Sequence, residues 1–197
     1  MNMKKRLFSI SIITVATSLL TGCLGSSAPA TSEPASSGAT HKYSTELIGI
    51  EIPNEWDVLL PKDFTSNVPA NIIIALRNNI KNEKFIADVV ILKNELPTTT
   101  SSEDYAKLLY QRLSTDLIGF KEVGRESIMI NVAGKATPTL LLIVEGQETA
   151  AGEPKRFIET VGIKDKTAFL AIGASLTSDD AAVAKKIESM IRSFEVK

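Results

Sequence analysis

The stretch that most restricts the fold runs from about Tyr43 to the C-terminus, where many short apolar runs are separated by tight turns and only two segments keep a helical period. Ile48, Ile50 and Ile52 alternate, a Pro53-Asn54 turn follows, and Trp56, Val58 and Leu60 alternate again. This predicts two short strands around a turn. The runs Asn71 to Arg77 and Phe85 to Lys93 are nearly continuous in apolar residues and read as central strands buried on both faces. Val123 to Val132, Lys135 to Glu145, Arg156 to Ile163 and Thr167 to Ala174 follow as four strands, with turns at Ala133-Gly134-Lys135 and Lys164-Asp165-Lys166.

The two helical segments are equally plain. Ala106, Leu109, Tyr110, Leu113 and Leu117 form one stripe at helical spacing. Ser101 or Ser102 suits its start, Glu103 and Asp104 suit the positive N-terminal end, and Gly119 suits its stop. Val183, Ile187, Met190, Ile191 and Phe194 share a face in the second helix, Thr177 to Phe194, with Ser178 as its cap. A last short strand is expected over Phe194 to Lys197. Strands joined by short turns pair antiparallel. The expectation is therefore an α+β fold, a single antiparallel β-sheet covered by two amphipathic helices in an α/β/α sandwich.

The N-terminal part differs in kind. Lys4, Lys5 and Arg6 precede Leu7 to Leu20, a run of 14 residues without charge. A membrane-crossing helix needs about 20 apolar residues, so this run fits a signal-peptide core. Leu20-Thr21-Gly22-Cys23 then resembles the lipobox of bacterial lipoproteins. Thiolate is the nucleophile that lipid transfer requires, and Gly22, lacking a Cβ, permits close approach to the backbone. The resemblance implies lipidation of Cys23, cleavage before it, and attachment to a bilayer through a diacylglyceryl group, since each buried CH₂ contributes about 0.8 kcal/mol. Residues 1–22 would be a lipoprotein signal peptide.

Fifteen of the 17 residues from Leu24 to Thr40 are Gly, Ser, Ala, Pro or Thr. Such a stretch buries too little apolar surface to offset chain entropy. It reads as a flexible linker over 23–45, with an end-to-end distance of about 25 Å, and His41, the sole histidine, falls at its end as a solvated residue. Cys23 is the only cysteine, so the body relies on its core and not on disulfides. Leu24 stands where an Asp would resemble an inner-membrane retention signal. The expected location is the extracytoplasmic side of a bacterial envelope, at the outer membrane or periplasm with two membranes and the cell surface with one.

Without Lys4, Lys5 and Arg6, the chain has 19 basic and 23 acidic residues. No basic cluster remains, which disfavours nucleic-acid binding. A nucleophile–histidine site would need a histidine outside the linker, and histidine–cysteine metal sites fail by count. No phosphate-binding glycine motif appears, and no cofactor is implied. The carboxylate pairs Glu103-Asp104 and Asp179-Asp180 read as helix-start charges; Glu51 and Glu55 flank a turn and read as solvated.

Ile52-Pro53 with Trp56, the helix start Glu103-Asp104-Tyr105-Ala106, Ile130 with Gly134 and Ala136 between strands, and the closing Ser193-Phe194 resemble the PsbP-like superfamily over residues 46–197. That superfamily includes PsbP of photosystem II, Ran-binding Mog-type proteins and bacterial envelope lipoproteins. Its members mostly bind other proteins. The resemblance implies a non-enzymatic domain with a protein or envelope partner, held to the membrane through lipidated Cys23. The alternative is a small-ligand binder or carboxylate-based enzyme with a pocket between sheet and helices.

Overall fold

The computed structural model describes residues 39–64, 69–79 and 84–197. The lipobox residues Leu20, Thr21, Gly22 and Cys23, the signal segment and the linker up to residue 38 lie outside them. In chain order the elements are β1 (Thr40–Ser44), β2 (Ile48–Pro53), β3 (Trp56–Leu59), β4 (Ile72–Asn78), β5 (Asp88–Glu95), α1 (Ser102–Asp116), β6 (Ile118–Val132), β7 (Lys135–Gln147), β8 (Lys155–Lys164), β9 (Thr167–Leu176), α2 (Ala181–Arg192) and β10 (Glu195–Val196). The strands form one sheet in the order β1-β2-β10-β6-β7-β8-β9-β5-β4-β3.

Sequence neighbours β2 and β3 do not pair with each other. They stand near opposite ends of the sheet, although only Asn54 and Glu55 separate them. The sheet therefore curls until its two ends nearly meet. Side chains from both ends, among them Ile48, Ile50, Ile52, Trp56 and Leu76, share one core cluster. Local alternation predicted both strands, but pairing is set by this long-range curl.

Three further expectations change. Thr40–Ser44 is a strand paired antiparallel with β2 and not the end of a linker, and His41 Nδ1 lies 3.0 Å from Asn54 Oδ1. The sheet is not wholly antiparallel: β10 slots between β2 and β6, antiparallel to the first and parallel to the second. Parallel pairing follows because α2 carries the chain back across the sheet before β10 forms. Finally, β4 and β5 are buried on both faces only in part: Ala75 and Leu92 are buried beside Ile74, Leu76 and Ile91, but Val90 and Asp88 of β5 stay half-exposed.

The helices take opposite faces. α2 presents Ile187, Met190 and Ile191 to the main core, where they meet Ile158, Phe169, Ala171 and Phe194. Its cap is Asp180, whose carboxylate accepts from the Ala182 amide at 2.8 Å, and not Ser178. Asp179 instead caps the end of β9, accepting from the Leu176 amide at 2.8 Å. α1 lies over β6, β7 and β8 on the other face. Ser101 caps it through the Asp104 amide at 3.0 Å. Ser102, also buried, accepts from the Ile163 amide at 2.9 Å and pins the helix start to β8. The helix ends at Leu117; Gly119 belongs to β6, with φ +66°.

Candidate functional site: an acidic groove beside α1

β8 divides its side chains between the two layers at the strand period of two. Ile158 belongs to the α2-side core. Phe157 clusters with Leu113 of α1 and with Leu117, the residue that ends it. Glu159 follows Phe157 at the same facing, and it sits opposite Leu142 on β7 and Ile172 on β9. A glutamate is thus placed on an apolar floor, with 5% of its surface exposed.

Register carries this face onward. Ile172 is opposite Val90 of β5, and Ala174 is opposite Asp88. Asp88 in turn faces Arg77 of β4 across the next pair. Because α1 stops over β8, Ile172, Val90 and Asp88 remain half-exposed beside it. The result is a half-exposed strip of sheet beside α1, running from Ile172 of β9 across Val90 to Asp88 of β5. Glu159 and Asp88 lie two strands and two residues apart, which puts their Cα atoms about 12 Å from each other.

Electrostatics set these two acids apart from the rest. Burial pushes the Glu159 carboxyl up to about 7, with Arg112 of α1 opposing the rise. Burial likewise pushes Asp88 up to about 7; Lys155 pulls it back and Glu148 adds to the rise. Among the described residues, no hydrogen bond or ion pair ends on either carboxylate. The nearby cations are engaged elsewhere: Arg112 Nε holds Asp116 at 3.0 Å, Lys155 Nζ holds Glu148 at 2.5 Å, and Arg77 holds Asp57 at 3.1 Å.

Specific contacts lie at either end of this strip. Lys155 Nζ sits 4.2 Å from the centre of the Phe85 ring. At the opposite end the buried Tyr105 hydroxyl bonds to Asn94, which accepts from Asn71 at 2.7 Å. On the far side of α1, Tyr110 donates to Glu122 at 2.5 Å, and Arg125 stacks 4.5 Å from the Tyr110 ring. That side is therefore already filled by its own partners.

Of the carboxylates singled out from the sequence, Glu103, Asp104, Asp180 and the exposed Glu51 are placed as expected, whereas Asp179 serves the end of β9 and Glu55 is ion-paired and not solvated. Glu103 pairs with Lys107 at 2.8 Å and Asp104 bonds to the capping Ser101. Asp179 and Asp180 cap backbone amides. Glu55 pairs with Lys186 of α2 at 2.5 Å, and Glu51 is exposed on β2. Sequence reasoning passed over Asp88 and Glu159. The available signal was one acid inside each apolar run, FIADVVILK and RFIETVGI. Two side chains of this kind can bind a cation or exchange a proton near neutral pH. Among the described residues, no group of three His, Cys, Asp or Glu could hold a metal ion, and no helix is long and apolar enough to cross a membrane.

A curled sheet with one helix on each face and a short final strand returned into it defines the fold as PsbP/Mog1-like. Solved structures of low sequence identity share it. Cyanobacterial PsbP (CyanoP) from Synechocystis is 12% identical with a TM-score of 0.51, and the match covers 85% of this chain and 99% of that one. The Saccharomyces cerevisiae Ran-binding protein Mog1p is 12% identical at 0.52, covering 80% and 96%. LpqN of Mycobacterium tuberculosis, described as involved in cell envelope biogenesis, is 11% identical at 0.52, covering 83% and 87%. No family model matches the sequence, and neither does any curated protein.

Proposed function

We propose that this chain is a lipid-anchored protein of a bacterial envelope whose domain works by binding another protein. The observation that carries the binding reading is the half-exposed face of β9 and β5 beside α1, where Ile172, Val90 and Asp88 stay open next to the buried Glu159. A sheet face with an apolar floor and convergent polar groups is a recognition surface. The likeness in fold to a Ran-binding protein and to an envelope protein supports the same direction. The anchor rests on the lipobox-like Leu20-Thr21-Gly22-Cys23 after its uncharged run.

A photo-crosslinking residue at Val90, in the full chain in its native membranes, tests the binding reading. A discrete adduct with one protein supports it, and absence of any adduct overturns it. Cys23→Ser tests the anchor: the protein should move from the membrane to the soluble fraction.

A second reading, a carboxylate-based enzyme or small-ligand binder, draws on the two carboxyls held near neutrality. A saturable thermal shift with one metabolite class, without a protein adduct, would favour it.

A further inference from the structure

We propose that the strip of sheet beside α1 receives a cationic side chain, lysine or arginine, of the partner protein, with Glu159 as its buried counter-ion and Asp88 as a second acid at its end. This rests on the binding reading above and names the chemistry of its partner.

The first support is an imbalance of charge. Arg112, Lys155 and Arg77, the cations that face Glu159 and Asp88 from α1, β8 and β4, each already hold another acid. Glu159 and Asp88 are left over. A carboxylate held mostly out of water, as Glu159 is, without an ion pair of its own costs free energy. A cation from outside would offset that cost at the site itself. The second support is shape and polarity. Ile172 and Val90 line the approach to Glu159 with half-exposed apolar surface. Such a strip suits the methylene stem of lysine or arginine, which packs along apolar surface while its head reaches a charge. A neutral amide would leave the charge unbalanced. A hard metal ion would need about six oxygen ligands, and no metal-binding group of three acids or histidines occurs among the described residues.

Binding of a cation requires the ionised acids. Both carboxyls are pushed up to about 7 by burial, so cation uptake and proton release are linked. Below that value the binding constant should rise about tenfold per pH unit for each proton released.

The test is calorimetric titration of the full chain with the peptide acetyl-Gly-Arg-Gly-Arg-Gly-amide, and separately with agmatine. The expected result is saturable peptide binding at pH 8 that weakens at least tenfold at pH 6, and at least tenfold in Glu159→Gln at pH 8. Asp88→Asn should weaken it less, and the exposed Glu51→Gln should leave it unchanged. Glu159→Gln removes an ionisable group from an apolar floor, so the variant should fold; Asp88→Asn provides an independent variant. Equal binding by Glu159→Gln and the parent would overturn the proposal and leave a nonspecific surface attraction. Agmatine binding as tightly as the peptide would overturn the commitment to a protein side chain. A Val90 crosslink to a partner that persists in Glu159→Gln sinks this inference alone, whereas no crosslink in the parent sinks the binding reading beneath it.

Discussion

Gly173 of β9 lies directly beneath Ile187 of α2: a Cβ at Gly173 would stand 2.1 Å from Ile187 Cγ2 and 3.4 Å from Val89 Cγ2. The helix approaches the sheet this closely only because the position has no side chain. Ile187 is fully buried there and joins the main core. The contact fixes the height of α2 above β9.

Gly173→Ala should therefore destabilise the domain by about 1–3 kcal/mol through overpacking, and Ile187→Ala by about 2–5 kcal/mol through cavity formation. The double variant should cost clearly less than the two combined, because truncating Ile187 vacates the space that a methyl group at position 173 needs. Urea denaturation of the four proteins measures the coupling. Strict additivity would show that α2 does not rest on this glycine.

Ser102 ties the other helix down. Its hydroxyl accepts from the Ile163 amide, and the residue is 2% exposed. Ser102→Ala leaves that half-buried N–H without its acceptor and should cost about 1 kcal/mol. The neighbouring cap change Ser101→Ala should cost about 1 kcal/mol. Amide exchange separates the two: only Ser102→Ala should speed exchange at Ile163.

The buried acids give the stability curve an unusual sign. Glu159 has a folded pKa of about 7 against an unfolded value of 4.5. Between those values the folded state holds the proton and the unfolded state has released it. Stability from this group is thus full below about pH 4.5, falls as pH rises to about 7, and is flat beyond. The limit for Glu159 is roughly 3 kcal/mol. Carboxylates with lowered pKa, such as Glu145 held by Arg156, act oppositely and lose their contribution only as pH falls below the ordinary carboxylate range. Glu159→Gln should flatten the decline between pH 5 and 8. Midpoints of chemical denaturation across that window decide it, and an unchanged slope would count against a raised Glu159.

Trp56 is 3% exposed, and its indole Nε1 is buried with no hydrogen-bond partner. An unpaired donor offsets part of the gain from burying so large a ring. Trp56→Phe, which removes the donor and keeps an aromatic ring, should change stability by less than about 1 kcal/mol. Trp56→Ala should cost about 3–5 kcal/mol. Parity between the two would mean the ring contributes little.

Local order was legible in the sequence. The stripe Ile187, Met190, Ile191 and Phe194 is buried as its spacing indicates, and Ser101 caps α1 as its side chain permits. The turn at Gly134, with φ +80°, follows from a residue that tolerates that backbone. These features depend on neighbours within about four positions, so a one-dimensional pattern contains them. The strip beside α1 was not legible. Glu159 resembles any acid in a strand until β7, β9 and α1 are placed around it.

By itself, the sequence determined both helices, most of the strands and the Ser101 cap of α1, because those choices are made by adjacent residues. Only the tertiary structure decided that β2 and β3 part to opposite ends of the curl, that β10 inserts beside β6, and that Glu159 is buried on an apolar floor with Asp88 half-exposed two strands away. The physical reason is that strand pairing and desolvation are set by residues distant in the chain, and a strand carries no local mark of the neighbour it will meet.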